Sequence, residues 1–194
     1  GGVDDPRDAA VAALMQRYGI DDGQARRVEA TALRMFDQIA QAWQLDADDR
    51  LMLQRASRLH ELGLAIAHSQ YHVHGAYVVE NSDIAGFSRQ QQQFLAALVR
   101  THRRGIPKSA FDALPDRLLS SARRLAALLR LAVLLHRAHE ADPIPQLDAR
   151  ADGNTLTLGM SRRWIDMRPL VRADLEGEPQ DMAGLGVVLK LEAV

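Results

Sequence analysis

From Leu118 to Leu135, after an opening Pro115, leucine and alanine recur on most sides of a helical wheel. A helix apolar over so much of its circumference is stable only inside a shell of other elements, so it predicts a central core helix and obliges the rest of the chain to supply amphipathic partners. Those partners are readable. Asp4-Asp5-Pro6 reads as an N-cap and first-turn proline for a short helix carrying Val11, Leu14 and Met15 until Gly19. Asp21-Asp22 starts a long amphipathic helix with Val28, Ala32, Met35, Phe36, Ile39 and Trp43 on one face. A third runs from about Asp46 toward Gly63, a short one resumes at Val78-Val79 and ends near Asn81, and Ser88 caps a further helix bearing Phe94, Leu95, Leu98 and Val99.

Composition shifts at Asp142-Pro143-Ile144-Pro145, a stiff linker. Beyond it the turn Asp152-Gly153-Asn154 leads into Thr155-Leu156-Thr157-Leu158, a hairpin strand. Ser161 then caps a helix through about Asp174, and Val187 to Leu191 forms a last strand. The expected fold is mainly α, an all-helical bundle over residues 1–142 followed by a small α/β (β-β-α-β) C-terminal domain over residues 143–194. So small a cap cannot easily stand alone, and it must pack on the helices or on a partner subunit.

The chain has 47% hydrophobic and 25% charged residues, a folding composition rather than a disordered one. It has no cysteine, which removes disulfides, thiol nucleophiles and cysteine-ligated metals. No apolar stretch approaches the roughly 20 residues of a membrane span, and Gly-Gly-Val-Asp-Asp-Pro has no signal-peptide character, so a cytoplasmic location is expected. The net charge of −1 exerts no global pull on polyanions. Any such binding must come from a local patch.

Two clusters could carry chemistry. His60, His68, His72 and His74 fall between residues 60 and 74, around a loop at Ser69-Gln70-Tyr71, with His102 further on. Imidazole and carboxylate suit several divalent metals, but the spacing matches no closed metal motif, so structural histidines are the expectation and a metal on His60 and Glu61 the alternative. The second cluster is Arg100, His102, Arg103, Arg104 and Lys108 at a helix C-terminus. Cations there complement the helix dipole, and beside His72 and His74 they also make a cradle for phosphate. No phosphate-binding Gly-rich loop with lysine and serine is present, nor a nucleophile elbow, and no convincing catalytic centre is encoded.

Leu59-His60-Glu61-Leu62-Gly63-Leu64, His68-Ser69-Gln70-Tyr71-His72-Val73-His74 and Asn81-Ser82-Asp83-Ile84-Ala85-Gly86-Phe87 closely resemble the C-terminal region of bacterial exopolyphosphatases. Asp5-Pro6-Arg7, Gln16-Arg17-Tyr18, Val99-Arg100-Thr101-His102-Arg103, Leu129-Arg130-Leu131-Ala132 and the final strand follow in the same order, so the resemblance covers essentially the whole chain. It is to the exopolyphosphatase and guanosine pentaphosphate phosphatase group, in which two actin-like domains precede an HD-like helical domain and a small C-terminal one. The resemblance implies that catalysis and its magnesium belong to the actin-like domains, which this sequence lacks, and that no cofactor belongs to this chain. It implies that the chain holds inorganic polyphosphate in a basic channel and forms a homodimer. His102 and Arg103 match the channel, with Arg104 and Lys108 as neighbours in a groove shared with His74.

The HD metal signature is degraded. Gln24 stands near its first position, His60-Glu61 at the pair and Val133 at the last, so two of four ligand positions are lost and independent metal-dependent hydrolysis is not expected. Rival readings are a guanosine pentaphosphate phosphatase, an HD-type metal phosphohydrolase, and a scaffold that binds no polyanion.

Overall fold

A computed structural model describes residues 5–194. The Asp4 part of the expected cap lies outside them; Asp5 itself caps the first helix, its carboxylate accepting from the Arg7 backbone N–H at 2.9 Å, with Pro6 in the first turn. Six helices come first: α1 (Pro6–Arg17), α2 (Asp22–Ile39), α3 (Ala47–Leu59), α4 (Tyr71–Asn81), α5 (Arg89–Thr101) and α6 (Asp116–Leu135), with a 3-10 turn at Leu62–Ala65 between α3 and α4. They are followed by β1 (Leu147–Asp152), β2 (Thr155–Met160), α7 (Arg162–Asp166), α8 (Pro169–Ala183) and β3 (Val188–Ala193). The chain is mainly α with a small α/β portion at its C-terminal end. No helix among the described residues is long and apolar enough to cross a membrane.

The leucine- and alanine-rich segment does lie at the centre. Leu125, Ala126, Leu128, Leu129, Leu131 and Ala132 of α6 are wholly buried, and α2, α3, α5 and α8 pack around this helix. Full burial of a leucine contributes about 1.5–3 kcal/mol, so this one helix accounts for a large part of the hydrophobic stabilisation. Capping boxes fix two of the surrounding helices: Asp46 with Asp49 starts α3, and Ser88 with Gln91 starts α5.

In the sheet, β2 lies between an antiparallel β1 and a parallel β3. Side chains of α2 and its end bind the cap's backbone. The Gln38 amide both donates to Leu147 O (3.1 Å) and accepts from Ala149 N–H (2.8 Å), as a neighbouring strand would. Arg34 donates to Ile144 O (2.9 Å), and the Trp43 indole N–H to Gly153 O (2.9 Å). Buried side chains of the helices and of the cap form one continuous cluster.

Three boundaries differ from expectation. The helix expected from Ser161 to about Asp174 is two: Ser161 caps the short α7, the chain turns at Arg168 (φ −131°, ψ 75°), and α8 starts at Pro169. A residue before proline is pushed out of the helical region, while proline itself fits a first turn. The helix expected to resume at Val78 begins at Tyr71, which puts His72 and His74 on a helix rather than in a loop. The helix expected to run toward Gly63 stops at Leu59, and after a turn at His60-Glu61 the chain tightens into the 3-10 turn at Leu62–Ala65.

Candidate functional site

Gly63 decides how the site is built. A Cβ added there would lie 1.8 Å from Tyr71 O and 2.6 Å from Gly75 N, so the 3-10 turn rests directly on the backbone of α4. No side chain larger than hydrogen fits. This close approach holds the first turn of α4 beside the C-terminal end of α5. Between them opens a cleft of about 450 Å³ lined by His68, Ser69, Gln70, His72, Arg103 and Arg104.

Gln70 (φ 54°) and Arg104 (φ 64°) both stand in the left-handed region on this cleft. For residues other than glycine such a backbone costs roughly 1–3 kcal/mol and persists only where the surroundings enforce it. At Gln70 it starts α4 without any side-chain cap, so no side-chain acceptor offsets the positive end of the helix dipole there. Arg103 lies over the Tyr71 ring at 4.3 Å, with Nη1 3.4 Å from His72 Nδ1. Arg104 adds a like charge beside Arg103, and among the described residues no carboxylate forms an ion pair with it. Arg103, Arg104 and the N-terminal end of α4 therefore line one opening, an arrangement suited to an anion with several phosphate-like oxygens.

Behind the cleft is a wall of imidazoles. The His102 ring packs edge-on against His60 (centroids 5.2 Å apart) and His72 (6.2 Å), and 5.3 Å from Tyr71. His60 Nδ1–H donates to Ser57 O at 2.6 Å and His102 Nδ1–H to Val99 O, which leaves each Nε2 without a proton. Burial pushes His60 down to about 4 and His102 well below its usual range. His72 is also pushed to about 4, by burial first and then by Arg103, Arg100, Arg104 and Arg130. The three rings are neutral at pH 7, and the positive charge at the cleft belongs to the arginines.

The residues expected at the site fall in different places. Arg103 and Arg104 line the cleft. His102 is 2% exposed and packs behind it. His74 sits two positions beyond His72, about 200° around the helix, and does not line the opening. Lys108 is exposed in the turns that follow α5, also outside the lining. His60 spends its Nδ1 on Ser57, and Glu61 is partly buried with Oε1 unpartnered and its carboxyl pushed up by burial. Among the described residues no three His, Cys, Asp or Glu side chains converge on a point that could hold a metal. The set does not fit magnesium, which requires a near-octahedral shell of oxygens.

The sequence did not point to Ser69 or Gln70, nor to Arg130. On α6, Arg130 is 4% exposed, and its Nη1 donates to Thr101 O and Arg104 O, both at 2.8 Å. Its remaining N–H groups bind the Glu178 and Asp181 carboxylates of α8. An arginine inside an apolar helix was the available signal, but its partners lie 26 to 51 residues away.

Fold and site together describe a mainly α module with a small α/β cap and a cleft lined by arginines that, among the described residues, form no ion pair with a carboxylate. Residues 7–179 match the family described as Ppx/GppA phosphatase, domain III, and the chain belongs to that family. It is also 31% identical over 183 residues to a protein of Pseudoalteromonas translucida (strain TAC 125) named guanosine-5'-triphosphate,3'-diphosphate pyrophosphatase. That match covers 94% of this chain and 37% of the relative, so the chain spans little more than a third of that protein's length.

Proposed function

We propose that this chain is the polyphosphate-holding part of an exopolyphosphatase, with release of terminal orthophosphate carried out by actin-like domains outside this sequence. The observation that carries the reading is the cleft itself, where Arg103 and Arg104 meet the uncapped start of α4. A flexible polyanion gains there by releasing its counterions, and the bonds from guanidinium and amide N–H groups to phosphate oxygens are charge-assisted. Arg103 is already ordered by Tyr71 and His72, so little side-chain entropy remains to be given up on binding. Lys108 extends the positive charge along the exit from α5. Magnesium belongs, on this reading, to the actin-like domains, and a homodimer gives the cap a second surface to cover.

A second reading follows from the name of the relative: the ligand is a guanosine pentaphosphate and the chain belongs to the corresponding phosphatase. Both ligands present adjacent phosphates, and the cleft's chemistry serves either. Calorimetric competition separates them. Long-chain polyphosphate that binds and is not displaced by excess guanosine pentaphosphate supports the first reading; displacement at comparable concentration supports the second. Binding of neither assigns the chain a purely structural role.

A further inference from the structure

Arg130 joins the cap to the cleft. Nε and Nη2 of its guanidinium donate to Glu178 and Asp181 of α8, and Nη1 donates to the carbonyls of Thr101 and Arg104, the residues that bracket Arg103. Arg104 is the residue whose left-handed backbone turns the chain away from α5 at the cleft. The end of α8 also touches the segment that follows: a Cβ on Gly184 would come within 3.2 Å of Ile106 Cβ. The two junctions are independent, and both join α8 to the segment beside the cleft arginines.

We propose that Arg130 is a positioning residue for anion binding, fixing the Arg103-Arg104 turn in its strained form so that the C-terminal cap sets the geometry of the cleft. The inference rests on the reading of the cleft as a phosphate-chain site and adds how that site is held and from where. Arg130 touches no ligand. It satisfies the Thr101 carbonyl at the end of α5 and the Arg104 carbonyl in the turn beyond it, and without it the turn is free to relax out of the left-handed region. The carboxylates of α8 in turn orient the fork, whose rigid donors reach both carbonyls and both acids at once.

The test must separate loss of the tether from loss of fold. Removing Arg130 alone strands a buried Glu178 carboxylate, whereas replacing a buried pair by apolar residues of similar volume is often neutral for stability. The full chain is therefore compared with its Arg130→Met/Glu178→Met variant for melting temperature and for affinity to long-chain inorganic polyphosphate at several salt concentrations. The expected result is a melting temperature near that of the wild type, affinity lower by roughly tenfold or more, and a log–log salt slope shallower by about 0.7 for each phosphate that the cleft no longer neutralises. Should this variant not fold, Arg130→Lys carries the same comparison, since lysine keeps the charge beside Glu178 but cannot reach both carbonyls. A folded variant that binds with wild-type affinity and salt slope overturns the positioning role and leaves the cleft reading intact. A wild-type chain that binds no polyphosphate overturns both.

Discussion

At the scale of single residues, the buried histidines make stability depend on pH in a defined direction. His60 and His136 are 1% and 6% exposed, and burial holds both near 4 against an ordinary 6.5. Between these values the unfolded chain binds protons that the folded one refuses, so the stabilisation is complete above pH 6.5 and is lost as pH falls toward 4. Each such histidine contributes a slope of at most about 1.4 kcal/mol per pH unit in that window. Glu61 and Glu178, raised by burial, act in the opposite sense. The informative quantity is thus a difference. Urea unfolding from about pH 7 to about pH 4.5 should show a shallower pH dependence for His136→Gln than for wild type, and equal slopes would mean His136 is not buried neutral. Little of this was legible in the sequence, where a histidine in a turn and one in a packed wall look alike. The cations of Arg100 to Lys108 were visible as a group, but which of them face a common opening depends on the left-handed backbone at Arg104, which no residue type announces.

Among the elements, the close approach of the 3-10 turn to α4 governs the site. Gly63→Ala drives a methyl into backbone atoms of Tyr71 and Gly75, and relief requires one element to move. It should cost about 1–3 kcal/mol or more and weaken the cleft, because His72 rides on the displaced turn. Gly177→Ala on the exposed face of α8 has nothing within 4 Å of the added carbon and should stabilise by up to about 1 kcal/mol. Thermal unfolding of the two variants checks the contrast, and a Gly63→Ala protein as stable as wild type would refute the close approach. The helices were legible where caps and periodicity agreed, as at Asp21, Asp46 and Ser88. The start of α4 was not, since Gln70 caps it by conformation rather than by a side-chain bond. The α7–α8 break was signalled by Pro169, but helical spacing on either side masked it.

For the molecule as a whole, sequence pattern conveyed the layout of a helical body with a strand-strand-helix-strand end. It could not convey how they are joined. The cap is bound to α2 by Gln38, Arg34 and Trp43, and to the cleft by Arg130, through hydrogen bonds between segments far apart in the chain. The chain belongs to the Ppx/GppA phosphatase domain III family and spans 37% of a relative's length. On the proposed reading, this module supplies charge for holding a phosphate chain through Arg103 and Arg104. The most direct measurement is the affinity of long-chain polyphosphate for wild type and for Arg103→Glu at two salt concentrations. Wild-type binding should weaken steeply with salt, and Arg103→Glu should bind on the order of tenfold to a hundredfold less tightly at the lower salt, with its fold intact. Equal affinity for the two proteins, or binding indifferent to salt, would contradict the account.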